Sequence, residues 1–313
     1  MLLRVFTEPQ QGASYDQQVR VAQLAEQLGF DAFFRSDHFL AMGGTDGLPG
    51  PTDAWITLAG IARETSRIRL GTLMTSATFR LPGLLAVAVA EVDTMSHGRI
   101  ELGLGSGWFD AEHTAYGIPF PPLGERFERL EEQLAIITGM WACPTGDRFS
   151  FHGDHYQLED CPALPKPVQQ PGPPVLIGGH GTKHTPRLAA AYAAEVNVPF
   201  GTAEDTAAQF RRTKTACEAI GRDPGSMVCS AAQVVCCGRD EVELNRRAAI
   251  IGRSVDELRQ NGLCGSPEEV VEKLASFADL GTERMYLQFL TLNDLEHLEL
   301  IGHEVLPRTG SLG

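Results

Sequence analysis

The stretch RIRLGTLMTSATFRLPGLLAVAVAEVDTMSHGRIELGLGSGW, residues 67–108, contains a complete strand–helix–strand unit. Residues 68–73 form a short apolar run. Residues 82–96 follow with an Ala- and Val-rich helical pattern, and residues 100–104 are apolar again. Pro82 suits the first turn of the helix, because proline lacks the N–H that this turn leaves unpaired. Short apolar runs separated by helices are the pattern of a buried parallel sheet.

The same alternation extends outward in both directions. Towards the N-terminus, residues 2–6 and 32–34 read as strands. Residues 15–28 read as a helix stopped by Gly29, and residues 54–65 as a helix capped by Asp53. Towards the C-terminus, residues 123–141 form a long amphipathic helix. An irregular excursion over 142–174 follows, in which RFSFHGDHYQL predicts a hairpin turning at Gly153 and Asp154. Strands are then predicted at 175–177, 195–198, 227–237 and 285–289. Helices are predicted at 182–194, 203–220, from Asp240 onward, at 267–280 behind Ser266, and at 292–306.

Eight strands, each followed by helix, predict an α/β fold: a single (β/α)8 TIM-barrel domain over residues 1–313 with a loop insertion around 142–174. A doubly wound sheet also alternates, but it carries a glycine fingerprint after its first strand. Here the first strand ends in Thr7-Glu8-Pro9-Gln10.

Composition narrows the function. Of 313 residues, 43% are hydrophobic, and the formal net charge is −14, which speaks against a nucleic-acid partner. The N-terminus has no signal-peptide pattern, and the longest apolar run, residues 84–90, is too short for a bilayer. Seven cysteines without a C-x-x-C pair predict reduced thiols, a cytoplasmic setting and no metal site.

Barrel enzymes work at the C-terminal ends of their strands. Asp37 and His38 follow strand two: a carboxylate beside an imidazole can fix a tautomer or move a proton, or the two can be a loop cap and a solvated ring. The hydroxyl-rich segment 71–80 follows strand three and reads either as ligand-binding or as an ordinary turn. Gly103, Gly105 and Gly107, ahead of Trp108, permit close approach of backbone to a ligand. Glu112 and His113 lack evident partners for a metal, so core or capping roles are expected. Gly178, Gly179, His180 and Gly181 open a helix and form either an anion site or a tight turn.

Together, SDHF, LGTLMTSATFR, RIELGLGSGW, YGIPFPPLGERFERLEEQL and PPVLIGGHG resemble the luciferase-like monooxygenase superfamily, and within it the branch that uses the deazaflavin coenzyme F420. The resemblance implies that His38 faces the cofactor ring with Asp37 beside it. It implies a non-proline cis peptide at Leu73–Met74 behind the ring, and a hydroxyl from Ser76 at the ring's polar edge. Gly107 and Trp108 would run along the cofactor. Gly178, Gly179, His180 and Gly181 would hold its phosphate, and the excursion would cover the mouth. Met42 and Trp108 stand where the family's sugar-phosphate dehydrogenases have a tryptophan and an acid, which speaks against sugar phosphate oxidation; Phe109 replaces a frequent asparagine.

The expected function is hydride transfer between F420 and a small organic substrate, with His38 as proton donor or as a group that polarises the substrate or cofactor, in a cytoplasmic homodimer. The alternatives are an FMN-dependent monooxygenase using oxygen and a non-catalytic flavin-binding barrel.

Overall fold

The computed structural model describes residues 1–310 and 312. Eight parallel strands form the barrel wall: β1 (Leu2–Thr7), β2 (Ala32–Arg35), β3 (Arg69–Thr72), β4 (Ile100–Gly105), β5 (Val175–Gly178), β6 (Glu195–Pro199), β7 (Val228–Cys237) and β8 (Arg284–Phe289). Each pairs with the next, and β8 returns to β1 in the register Leu2↔Arg284 to Thr7↔Phe289. The result is a closed (β/α)8 TIM barrel.

The helices are α1 (Tyr15–Leu28), α2 (Ala54–Glu64), α3 (Pro82–Met95), α4 (Asp110–Tyr116), α5 (Leu123–Ala142), α6 (His184–Tyr192), α7 (Ala203–Ala219), α8 (Glu241–Ile251), α9 (Val255–Asn261), α10 (Pro267–Asp279) and α11 (Leu295–Leu300). Their starts follow local chemistry. Ser14 and Gln17 form a reciprocal capping box on α1, Ser266 and Glu269 do the same on α10, and the Asp53 carboxylate accepts the N–H groups of Trp55 and Ile56 on α2. Apolar faces such as Leu58 and Ile61 of α2 and Leu85 and Val89 of α3 are buried against the strands.

The closed end of the barrel is ionic. Arg4 is fully buried and donates to Glu101 at 2.6 Å, to Asp31 at 2.6 Å and to the Tyr286 hydroxyl at 2.8 Å. Tyr286 donates in turn to Glu195 at 2.8 Å. Burial works to neutralise both carboxylates. In Glu101 it is outweighed by Arg4 and the pKa falls; in Glu195 it prevails and the pKa rises.

Three elements depart from the expectation. Helix α4 went unforeseen. The helical region after Asp240 is two helices, followed by a short strand, Leu263–Gly265, that pairs with the far end of β7. A separate small core of Val234, Cys236, Leu244, Ala248, Leu258 and Cys264 lies under it.

The excursion does contain the hairpin, Phe149–His152 against Gln157–Cys161. It does not cover the mouth, and none of its residues lines the pocket there. Glu132 of α5 accepts the N–H groups of Asp154, His155 and Tyr156, while Gln169 reaches Asp93, Arg69 and the Ile100 carbonyl at the strands' N-terminal side. The excursion's apolar side chains Phe149, Tyr156 and Leu158 pack on the core, which draws the segment along the barrel wall.

Candidate active site

At the C-terminal ends of the strands lies a cavity of about 500 Å³. Nine of the eleven candidate residues line it: His38, Leu73, Met74, Ser76, Gly107, Trp108, Gly178, Gly179 and His180. Asp37 and Gly181 do not. Glu8, Met42, Glu112, Asn197 and Phe200 line it without having been singled out as site residues.

His38 leaves β2 with its side chain 14% exposed, and its Nδ1 lies 2.9 Å from Oε1 of Glu112. Glu112 is buried, and its other oxygen accepts the Phe39 N–H at 3.0 Å. A carboxylate held in this way accepts a hydrogen bond from Nδ1–H, which leaves Nε2 as the nitrogen for a ligand. The ring also meets Trp108 edge-on at 5.7 Å. Burial opposes a charged imidazole, but the hydrogen bond and charge of Glu112 outweigh it, and the His38 pKa rises above its ordinary value.

Asp37 points elsewhere. It is buried and accepts from the Thr75 hydroxyl at 2.9 Å and from Arg80, which also bonds Asp53 at 2.6 Å. This ties the loop after β2 to α2 and to the segment after β3. The peptide between Leu73 and Met74 is cis, as the resemblance implied.

The glycines in and after β4 serve two purposes. A Cβ on Gly103 would lie 2.0 Å from the Thr72 carbonyl, so that glycine is required by strand packing and not by a ligand. Gly107 has φ +80° and would press a Cβ to 2.4 Å from Ser76 Oγ. The Ser76 hydroxyl joins a chain: Ser76 to Thr78 at 2.6 Å, Thr78 to Nε2 of His113 at 2.6 Å, and Nδ1 of His113 to the Phe109 carbonyl at 2.7 Å. A carbonyl can only accept, so His113 donates from Nδ1, and in the neutral ring Nε2 accepts. With that ring Thr78 donates to His113 and Ser76 donates to Thr78; the Thr78 N–H uses one Ser76 lone pair at 3.4 Å, and the other remains for the pocket.

The loop after β5 is only partly free. Gly179, at φ +128°, spends its N–H on the Asn197 carbonyl at 3.1 Å, and His180 Nε2 bonds the Pro199 carbonyl at 2.7 Å. Helix α6 begins behind Lys183 with no side-chain cap, and among the described residues nothing accepts the N–H groups of Gly181, Thr182 or Lys183. Asn197, on the lining, donates to Ser230 but has a buried Oδ1 without a partner. An uncapped helix start, an orphaned amide oxygen and a wide cavity fit a phosphate-bearing, ring-shaped cofactor. Among the described residues no cluster of His, Cys, Asp and Glu could hold a metal ion.

Fold and mouth together define an enzyme of the (β/α)8-barrel class, its site built on strand-to-helix loops around a broad, part-apolar cavity. Within that class the chain belongs to the luciferase-like monooxygenase family, whose model matches residues 1–261. It is 29% identical to an F420-dependent glucose-6-phosphate dehydrogenase of Microbacterium testaceum, over 91% of this chain and 90% of that one. Over a shorter stretch, 51% of this chain and 42% of the other, it is 33% identical to an FMNH(2)-dependent dimethylsulfone monooxygenase of Pseudomonas putida. In fold it is similar to an F420-dependent secondary alcohol dehydrogenase, solved with an F420-acetone adduct, with TM-score 0.85, 18% identity and 98% of both chains covered.

Sequence reasoning missed Glu112 as the partner of His38. The two are 74 positions apart, and Glu112 lies on α4, too short a helix to show a period. The one available signal was an acid three residues after the aromatic pair Trp108-Phe109.

Proposed function

We propose that this chain is an F420-dependent oxidoreductase that moves a hydride between the deazaflavin and a small organic substrate. The observation that carries this reading is the His38–Glu112 pair, set into the lining of a cavity whose Gly178, Gly179 and His180 lead into the uncapped start of α6. When bound, a 5-deazaflavin supplies hydride chemistry and reacts poorly with oxygen.

The chain's own residues do the rest. The free N–H groups ahead of α6 hold the cofactor phosphate, and Met74 and Leu73 back its ring. The Ser76 and Asn197 oxygens accept hydrogen bonds from the ring's polar edge. Nε2 of His38 exchanges a proton with the substrate oxygen as hydride arrives at, or leaves, the carbon that bears it. Glu112 keeps the ring oriented and accommodates its charge.

The FMN-dependent reading draws on the dimethylsulfone monooxygenase relative. Titration of the pure protein with oxidised F420 and with FMN separates the two. Submicromolar F420 binding with weak FMN binding is expected, and the reverse order would overturn the proposal.

Ile56, Leu81 and Leu84, on and beside α2 and α3, are exposed apolar residues at 76%, 63% and 68%. They supply the contact for the homodimer we infer, which light scattering reads directly. All seven thiols are free, in accord with a reducing, cytoplasmic compartment.

A further inference from the structure

Among the described residues, the mouth pocket has no unpaired, permanently charged cation on its lining. Two carboxylates, Glu8 and Glu112, and two imidazoles, His38 and His180, line it; among the described residues on the lining there is no Lys or Arg. Flanking arginines are committed elsewhere. Arg80 sits between Asp37 and Asp53, and Arg126 donates to the carbonyls of Pro121 and Gly107. Glu8 cannot easily swing away, because Gln288 donates to one of its oxygens at 2.8 Å and Gln10 to the other.

Apolar surface makes up most of the remainder. Phe6, Met42, Met74, Trp108 and Phe200 face the cavity. Trp108 is 65% exposed and Phe200 48% exposed, so two large side chains stand in water at the rim. Phe200 also has φ +52°, a region that bulky residues rarely occupy, and it is held there by its N–H donating to the Ala232 carbonyl at 2.8 Å. Backbone strain at a pocket residue persists where the placement of the side chain is used.

We propose that the substrate is an uncharged, mostly apolar molecule with one hydrogen-bonding function, and that phosphorylated sugars are excluded. The molecule covers Trp108 and Phe200 and turns its polar function towards His38. A phosphate dianion in that position would meet Glu8, and the one cationic group facing it, the His38 ring, is already paired with Glu112, so the dianion would lose its water with no unpaired cation to replace it. The free N–H groups at the start of α6 do not rescue it, because the cofactor phosphate takes them in the reading on which this inference rests.

The test is ligand-observed saturation-transfer NMR on the F420-loaded protein, with cyclohexanol and benzyl alcohol against glucose 6-phosphate. The alcohols are expected to bind about tenfold or more tightly than the sugar phosphate. Phe200→Asn tolerates the backbone conformation and removes the ring; it should weaken alcohol binding roughly tenfold, with the F420 titration unchanged. Glucose 6-phosphate binding as tightly as the alcohols would overturn the proposal. So would the absence of alcohol binding to a protein that does bind F420, or a Phe200→Asn protein that binds the alcohols as before. A protein that binds the alcohols more tightly than glucose 6-phosphate but does not bind F420 would sink the cofactor reading and leave the preference for an uncharged apolar substrate standing on the lining alone.

Discussion

A buried imidazole has two opposed influences on its proton, and at His38 the opposition is explicit. Removal from water favours the neutral ring, while Glu112 at 2.9 Å favours the charged one and prevails. If His38 handles the substrate proton, His38→Ala should slow turnover by roughly 10²–10⁴-fold with little change in F420 affinity. Glu112 acts through His38 and is a positioning residue. Glu112→Gln keeps an acceptor for Nδ1 but removes the charge, so the His38 limb of the kcat/KM pH profile should move to lower pH. A profile that falls in height without moving would show that Glu112 serves only to hold the loop. The same pair adds stability that is complete below the unfolded-state pKa of histidine and is lost as pH rises through the raised folded value.

The loop between β5 and α6 is the element on which cofactor affinity is expected to depend. A Cβ on Gly179 would meet nothing closer than Thr185 Oγ1 at 3.8 Å, so the space is open and the obstacle to substitution is the φ of +128°. Gly179→Ala should therefore cost about 1–2 kcal/mol through loop distortion and weaken F420 binding about tenfold in a fluorescence titration. Unchanged affinity would remove this loop from the cofactor site. The barrel strands and most helices were legible in the sequence because they carry strong periods and caps. Helix α1 falls at residues 15–28, as read, since Ser14 and Gly29 bracket it with specific hydrogen bonds. Helix α4 was not legible: seven residues are too few for a pattern, and Phe109 gives it no capping side chain. The course of the excursion was hidden for another reason. It is set by long-range contacts such as Gln169 with Asp93, which leave no local trace. Most of the mouth residues could be read because strand ends converge there by topology; Glu112 could not, because its partner is distant in sequence.

On the scale of the molecule, acid is the expected weak point. His297 is buried, accepts the Cys237 N–H at its Nε2, and has a pKa pushed from 6.5 down to about 3 by burial and by Arg247. Below about pH 6.5 the unfolded chain gains a proton that the folded chain refuses, so stability falls as pH drops towards 3, by up to about 1.4 kcal/mol per pH unit. Chemical denaturation between pH 7 and 4 should show this slope and a shallower one in His297→Gln. Equal slopes would assign acid sensitivity to other groups. The small core under α8 and α9 has a consequence of a different kind. Its six residues are packed largely among themselves and meet the barrel through the last residues of β7. Such an appendage can open while the barrel stays closed. Amide hydrogens of α8, α9 and Leu263–Gly265 should therefore exchange with deuterium as one group, well before those of β1 and β8, and the molecule should lose its order in two instalments.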